Sequence, residues 1–376
     1  ALPLVAVATL RASSFETSLI VAAGYVAWIV IGLPAGVIVQ RLPLRGVQVA
    51  MDLLRAAALL SIPVTAALGQ LRLAQLVAVA LVVGLASVVF DVGNSTFLPS
   101  IVSKEELTAR NSLTSASNAA TQLGGPSVGG VLVQAFGAAT SLLVDTVSYL
   151  VSAVLLLSLP RPRTQEPAQR GASIATLIRD GWRYVTRHPV IRPCVAVATC
   201  LNFVCGALMA LTPVFLVRTL GVPAGLVGLL IASEGVGSLI GAAVTTRLTE
   251  RLGGARVLRY AGLAAPTALV LMPLADRGWG LALFALGSAG FSVGVVVTSI
   301  LTRTHRQTTT PPELLPRVMA TVRFISWGAI PVGALAAGIA ATELGNRGAL
   351  WVTCGFGFLV PLVLLTSPIR RLRDLT

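Results

Sequence analysis

A chain of 376 residues could hold two or three water-soluble domains. Its 55% hydrophobic and 11% charged residues and mean hydropathy of +0.86 exclude that, because soluble domains carry about 25% charge. The formal charge of +14 would suggest nucleic acid in a soluble protein, whereas on so apolar a chain it is first a record of membrane topology.

Residues 1–9 are apolar but too short to cross a bilayer; they read as the second half of a first helix, and no basic segment marks them as a signal peptide. Unbroken apolar runs then predict spans at 18–39, 47–68, 74–98, 107–135, 139–159, 190–217, 224–247, 256–275, 280–302, 316–341 and 347–367, twelve with the half helix. Such runs exclude the ten-residue alternation of an outer-membrane barrel. The expected fold class is an all-α polytopic membrane protein. Its only long connection, 160–189, separates a six-helix bundle at 1–159 from a second at 190–367, followed by a basic tail at 368–376.

Orientation follows from Lys and Arg in alternate connections. The side holding the central linker collects 21 of the 28 basic residues, and the other side only Arg11, Arg72, Arg218, Arg277 and Arg347; Arg55 and Arg323 lie within spans. Both termini and the linker are therefore expected in the cytoplasm, in the plasma membrane of a bacterium. Within the linker, 172–188 reads as a surface helix with Arg179, Arg183 and Arg187 at four-residue spacing, and Trp182 and Tyr184 suit the headgroup layer. Nucleic acid is not an expected partner, since no folded basic domain would present the charge.

The two parts resemble each other. Gln40-Arg41-Leu42-Pro43-Leu44-Arg45-Gly46-Val47 matches Glu250-Arg251-Leu252-Gly253-Gly254-Ala255-Arg256-Val257 at an offset of 210, and Gly125-Pro126-Ser127-Val128-Gly129-Gly130 has a counterpart in Pro331-Val332-Gly333. A repeat with a linker on one side of the membrane implies two bundles related by an axis along the membrane normal, which is a transporter's plan.

These residues resemble the major facilitator superfamily over essentially the whole chain. Gly36, Arg41 and Arg45 match its loop signature Gly-x-x-x-Asp-Arg-x-Gly-Arg-Arg, with Gln40, Pro43 and Leu44 departing from it. Gly125, Pro126, Gly129 and Gly130 are similar to the signature associated with antiporters, with Thr121 in place of its leading Gly. Asp52-Leu53-Leu54-Arg55 and Phe90-Asp91-Val92 look most like the drug:proton antiporter branch that includes macrolide-efflux proteins and the enterobactin exporter. The resemblance implies the major-facilitator fold, a substrate site between the bundles and a monomer.

Arg41 and Asp91 lie at compatible depth near the cytoplasmic ends of their spans. Paired, they would close an inner gate with Gln40 and Arg45 and, in the second repeat, Glu250 and Arg251. Alternatively Asp91 caps local backbone or snorkels to the loop. Glu234, ten residues into span 224–247, stands near the midplane, where a carboxylate is costly unless paired or neutralised. It reads either as a proton-coupling group, with Asp91 next in line, or as a neutral carboxyl bonded between helices. Asn118, Thr121 and Gln122 form a polar strip expected on the cavity wall with Glu234. Because spans 107–135 and 224–247 adjoin in the resembled fold, Gln122 is expected to approach Glu234. Arg323 either faces the cavity or snorkels. Asp145 reads as structural, and Asp52 and Arg55, three apart, as a pair. Gly32-x-x-x-Gly36, Gly125-x-x-x-Gly129, Gly237-x-x-x-Gly241 and Gly290-x-x-x-Gly294 permit close approach of helices, sliding or static.

Enzymatic chemistry is not expected. His188 and His305 fall in predicted loops, Cys194, Cys200, Cys205 and Cys354 lack CxxC spacing and read as packing residues, and no metal cluster, triad or phosphate-binding Gly-rich loop is present, so no cofactor is implied. The expected function is export of a small amphiphilic compound by alternating access with proton antiport. The alternatives are a symporter or facilitator for a small nutrient and, from another class, a membrane scaffold or embedded enzyme.

Overall fold

In a bilayer, backbone amides find no water, so each apolar segment must close its own hydrogen bonds. The computed structural model describes residues 2–32, 43–101, 121, 125, 128–129, 132–133, 136–158, 174–311 and 314–375, and among these the regular structure is helical. Helices α1 (Leu2–Thr9), α2 (Ser14–Ile31), α3 (Leu44–Ala67), α4 (Leu73–Ile101) and α5 (Ala138–Ser158) pack together as one bundle. Helix α6 (Ile174–Arg187) lies in the linker. Helices α7 (Ile191–Val214), α8 (Ala224–Leu252), α9 (Gly254–Leu269), α10 (Leu281–Thr309), α11 (Leu315–Gly357) and α12 (Leu359–Thr366) form the second bundle. Gln40, Arg41, Asn118, Gln122, Pro126 and Gly130 lie outside the described residues, as does Gly36.

Local signals set the helix ends. Ser13 starts α2 with a capping box: its hydroxyl accepts from the Glu16 amide at 3.2 Å, while the Glu16 carboxylate accepts from the Ser13 amide at 2.6 Å. Elsewhere the helices outrun the apolar spans. The predicted connection 248–255 shrinks to a break at Gly253 between α8 and α9, and α10 continues to Thr309 rather than ending at 302. Thr302 and Thr308 satisfy their hydroxyls on the carbonyls of Thr298 and Thr304, at 2.8 and 3.1 Å, so polar residues extend the helix past the hydrocarbon layer. His305, expected in a loop, is consequently a buried helical residue. Predicted spans 316–341 and 347–367 are separated as expected: the helical run α11 is two helices broken at Gly345, whose φ of +71° and ψ of 170° are not helical, and α12 follows the second of them. A side chain at 345 would be strained in that left-handed conformation.

In the first bundle α2 packs on α4, and α3 on both α4 and α5; in the second, α7 packs on α11, and α10 on both α8 and α9. A Cβ at Gly237 would collide with the Ala289 carbonyl, and one at Gly294 would meet Ala265. Both C-terminal Gly-x-x-x-Gly motifs therefore make close helix contacts inside one bundle. The bundles meet where α2 lies along α11 and touches α7.

Candidate functional site

The two bundles face each other where α2 lies along α11 and touches α7. On α8, Glu234 sits ten residues beyond Ala224, about 15 Å along the axis. Its side chain is accessible yet surrounded by protein, as expected of a group lining an internal space. It is in electrostatic reach of Tyr25 on α2 and Cys205 on α7, so the acid looks across to the opposite bundle. Tyr25 in turn packs against Val21, Ala210 and Ala334, where α2, α7 and α11 converge.

One helical turn along α2 from Tyr25, Trp28 meets Trp327 of α11 edge to face, with ring centroids 4.6 Å apart and planes at 72°. The Arg323 guanidinium rests over both rings, 5.4 Å from the Trp28 centroid and 5.0 Å from that of Trp327. Two indoles from opposite bundles thus hold one cation through their π-faces. Asp91, on the accessible face of α4, is within electrostatic reach of Arg323 and also of Arg55.

Behind Asp91 lies a buried polar cluster among α3, α4 and α5. Asp52 and Arg55 form an ion pair, 1% and 7% exposed in their side chains. Asp52 also accepts from the Ser152 hydroxyl at 2.7 Å, while the Arg55 guanidinium stacks over Phe90 at 4.2 Å and Tyr149 at 4.5 Å. The expected pairing of Asp52 with Arg55 is present, and it joins three helices rather than one face of α3.

The bundles are tied together where α2 begins. The Ser14 hydroxyl donates to the Asn346 side-chain oxygen at 2.5 Å, and the Asn346 amide donates to Thr219 at 3.1 Å. Asn346 follows the bend at Gly345, and Thr219 closes a π-turn, Phe215–Thr219, at the end of α7. Further along, Gly338 of α11 faces Ser18 and Phe15 of α2 so closely that an added Cβ would clash.

The other expected site residues fall as follows. Arg45 donates to the Leu157 carbonyl on α5, within its own bundle. Glu250 and Arg251 are exposed at the end of α8 and belong to neither ion pair found among the described residues. Thr121, Gly125 and Gly129 are helical. Asp145 is half-buried on α5. The expected approaches of Arg41 to Asp91 and of Gln122 to Glu234 involve residues outside the described set. Sequence reasoning missed Tyr25, Trp28, Trp327 and Cys205. The available signal was depth: Trp28 and Trp327 fall in the middle of their predicted spans, whereas membrane tryptophans concentrate at the interfaces.

The linker helix is docked on the second bundle. Asp180 pairs with Arg317 of α11 at 3.1 Å, and Val185 is buried with Ile191, Val195, Val318 and Val322. His188 caps α7: its Nδ1 accepts from the amides of Val190 and Ile191 at 3.3 and 3.1 Å. Burial pushes the His188 imidazole below its ordinary range.

Residues 5–375 match the family model described as transmembrane secretion effector. The MFS-type transporter YvqJ of Bacillus subtilis (strain 168) is 25% identical over 360 residues, covering 92% of this chain and 83% of the relative. The MFS-type transporter y4rN of Sinorhizobium fredii (strain NBRC 101917 / NGR234) is 28% identical over 286 residues, covering 73% and 67%. Among solved structures, a mutant of the nucleoside transporter NupG superposes with a TM-score of 0.78 at 11% identity, covering 97% of this chain and 93% of that one. A bacterial homologue of the iron transporter ferroportin in an inward-facing state gives 0.72 at 20% identity, covering 93% and 89%. At these identities the structural likenesses establish the fold alone. With its multi-pass helical architecture, the chain belongs to the transmembrane secretion effector family of major-facilitator transporters, and is a secondary transporter rather than an enzyme.

Proposed function

We propose that the protein exports a small amphiphilic compound by alternating access, exchanging it for protons at Glu234. The observation that carries this reading is the accessible Glu234 carboxyl between the bundles, in reach of Tyr25 from the opposite side. A lone acid in an apolar space is stable only when neutralised or paired, so a change in surroundings as the bundles rock would change its hold on a proton. Trp28 and Trp327 supply flat apolar surface for the body of the substrate, and Arg323 and Asp91 lie beside them as groups that can exchange partners. In this reading the linker side is cytoplasmic, and the contacts of Ser14, Asn346 and Thr219 close the outer end. The substrate cavity then includes Thr121, and Asn118 and Gln122 on the same span, with Gly125, Pro126, Gly129 and Gly130 as its helix kink.

The test uses proteoliposomes and a panel of amphiphilic dyes and drugs with an imposed proton gradient. The wild type accumulates at least one compound uphill and loses this with a protonophore. Glu234→Gln abolishes uphill accumulation while downhill flux of the same compound persists. Uphill export by Glu234→Gln at the wild-type rate would make the carboxyl structural. Cysteines introduced at Gln70 and Thr186 in a cysteine-free background should label from opposite faces; labelling from one face overturns the assigned topology.

A further inference from the structure

The linker helix carries a groove apart from the residues assigned to transport above. Between α6 and the first residues of α7 and α11 lies a cavity of about 470 Å³, lined by Arg183, Arg187, Tyr184, His188, Pro189 and Leu314, with Asp180 at its edge. Asp180 is committed to Arg317 at 3.1 Å. Arg183 and Arg187, one turn apart on the same face, are both exposed, and neither belongs to an ion pair among the described residues. Among the described residues the groove therefore offers two exposed guanidinium groups outside any ion pair, beside the apolar side chains of Pro189 and Leu314.

Its position identifies the occupant. His188 lies three residues before α7 begins at Ile191, and Leu314 one residue before α11 begins at Leu315; the apolar spans expected from the sequence start at 190 and 316, so the groove stands beside the residues at which both apolar stretches begin. Trp182, on the same helix, is 48% exposed, as suits an indole at the headgroup level. Guanidinium groups bind a phosphate with paired hydrogen bonds, and Pro189 and Leu314 give the groove an apolar part beside them, which matches a ligand with a phosphate next to an apolar body. The fixed geometry of α6 makes this a built site. Gly181 crosses α11 so closely that a Cβ would stand 2.8 Å from the Arg317 carbonyl oxygen, and the Tyr184 hydroxyl donates to the Thr309 carbonyl at 3.4 Å. Helix α6 cannot swing off to follow a mobile anion; the ligand comes to it.

We infer that this groove binds the phosphodiester headgroup of an anionic phospholipid through Arg183 and Arg187. The inference does not depend on the identity of the transported compound or on the role of Glu234. Because α6 is clamped to the first turns of α11, a lipid seated there bears on the helix that carries Arg323 and Trp327.

The experiment places the full chain in nanodiscs of phosphatidylcholine doped with phosphatidylglycerol and counts retained lipids by native mass spectrometry. The wild type retains phosphatidylglycerol in preference to phosphatidylcholine. Arg183→Gln with Arg187→Gln weakens that retention by about thirty-fold, the expected loss for two arginines at an anionic surface. Arg183→Lys with Arg187→Lys keeps much of it, and Arg72→Gln, at the opposite end of the bundle, leaves it unchanged. Wild-type retention by the double Gln variant overturns the assignment, as does equal retention of both lipids by the wild type. An excess of inorganic phosphate that displaces the lipid and itself remains bound would assign the groove to a free anion and overturn the lipid reading.

Discussion

Arg323 of α11 rests over the indole of Trp28 on α2, 5.4 Å from its centroid, so a cation of one bundle is held by an aromatic ring of the other. Its own bundle supplies a second ring, Trp327, at 5.0 Å. A contact of this kind costs little to part and re-form, because an arginine over a π-face keeps its hydrogen-bond donors free, and cation–π contacts contribute about 0.5–2 kcal/mol. This suits an interface that must open once per cycle better than a buried ion pair would.

The first prediction concerns that contact. Arg323→Lys keeps the charge but loses the flat group that stacks on two indoles, and should lower transport several-fold. Asp91→Asn and Arg323→Gln should each impair transport, and the double variant should be less impaired than the product of the two losses, since the groups are in electrostatic reach. Initial export rates in cells for the four members of the cycle decide it; multiplicative losses would show that the two residues act independently.

The second concerns the cluster behind Asp91. Replacing Asp52 by Asn leaves the Arg55 guanidinium buried without its counter-charge and should destabilise the protein by about 3–5 kcal/mol. The thermal unfolding midpoint of the purified protein in detergent should fall accordingly. Asp52→Leu with Arg55→Met removes both charges and should recover most of the loss. If the double variant is the less stable, the pair contributes net stability of its own.

Much of this was legible in the chain. Twelve apolar stretches and a 210-residue repeat point to the fold because a bilayer leaves a helix no alternative, and Asp52 and Arg55 are visible as a pair because local spacing alone brings them together. The Trp28, Trp327 and Arg323 contact was not legible. It depends on the rotation of α2 about α11, which small residues such as Gly338 permit but do not specify. The helix ends of α8 and α10 were misjudged for a different reason: hydropathy reports where the hydrocarbon ends, and both helices continue into the polar layer. His305 was therefore assigned to a loop, although its ring lies 6.1 Å from that of His188 in the packed junction with the linker.

That junction gives the third prediction. His188 Nδ1 accepts two amides of the first turn of α7, which only an unprotonated nitrogen can do, and burial also disfavours the charged ring. Its value in the folded protein lies below the ordinary 6.5, so the unfolded chain takes up the proton first. The contribution to stability is intact above that ordinary value and is lost as pH falls through the lowered one. Unfolding midpoints measured across the mildly acidic range should drop for the wild type. In His188→Asn, whose side-chain oxygen can still cap α7 without titrating, the drop should be smaller. Identical pH profiles would mean that other groups govern the acid sensitivity.

The fourth concerns the end where α2 begins. Ser14 and Asn346 are joined at 2.5 Å across the bundles, and Asn346 also reaches Thr219, so this one side chain bridges α2 to the end of α7. Asn346 stands one residue beyond the left-handed Gly345, the break between the two helices of α11, so a movement at this turn would carry Asn346 away from Ser14. The proposed alternating access requires this end to part. Ser14→Cys with Asn346→Cys, in a background free of the four native cysteines, should form a disulfide or cross-link with the shortest bis-thiosulfonate reagent. Transport should stop on cross-linking and return with reductant, while each single variant stays insensitive to the reagent. A cross-linked protein that still transports at its reduced rate would mean that the bundles move without separating at this point, and the opening would then have to lie elsewhere along α2 and α11.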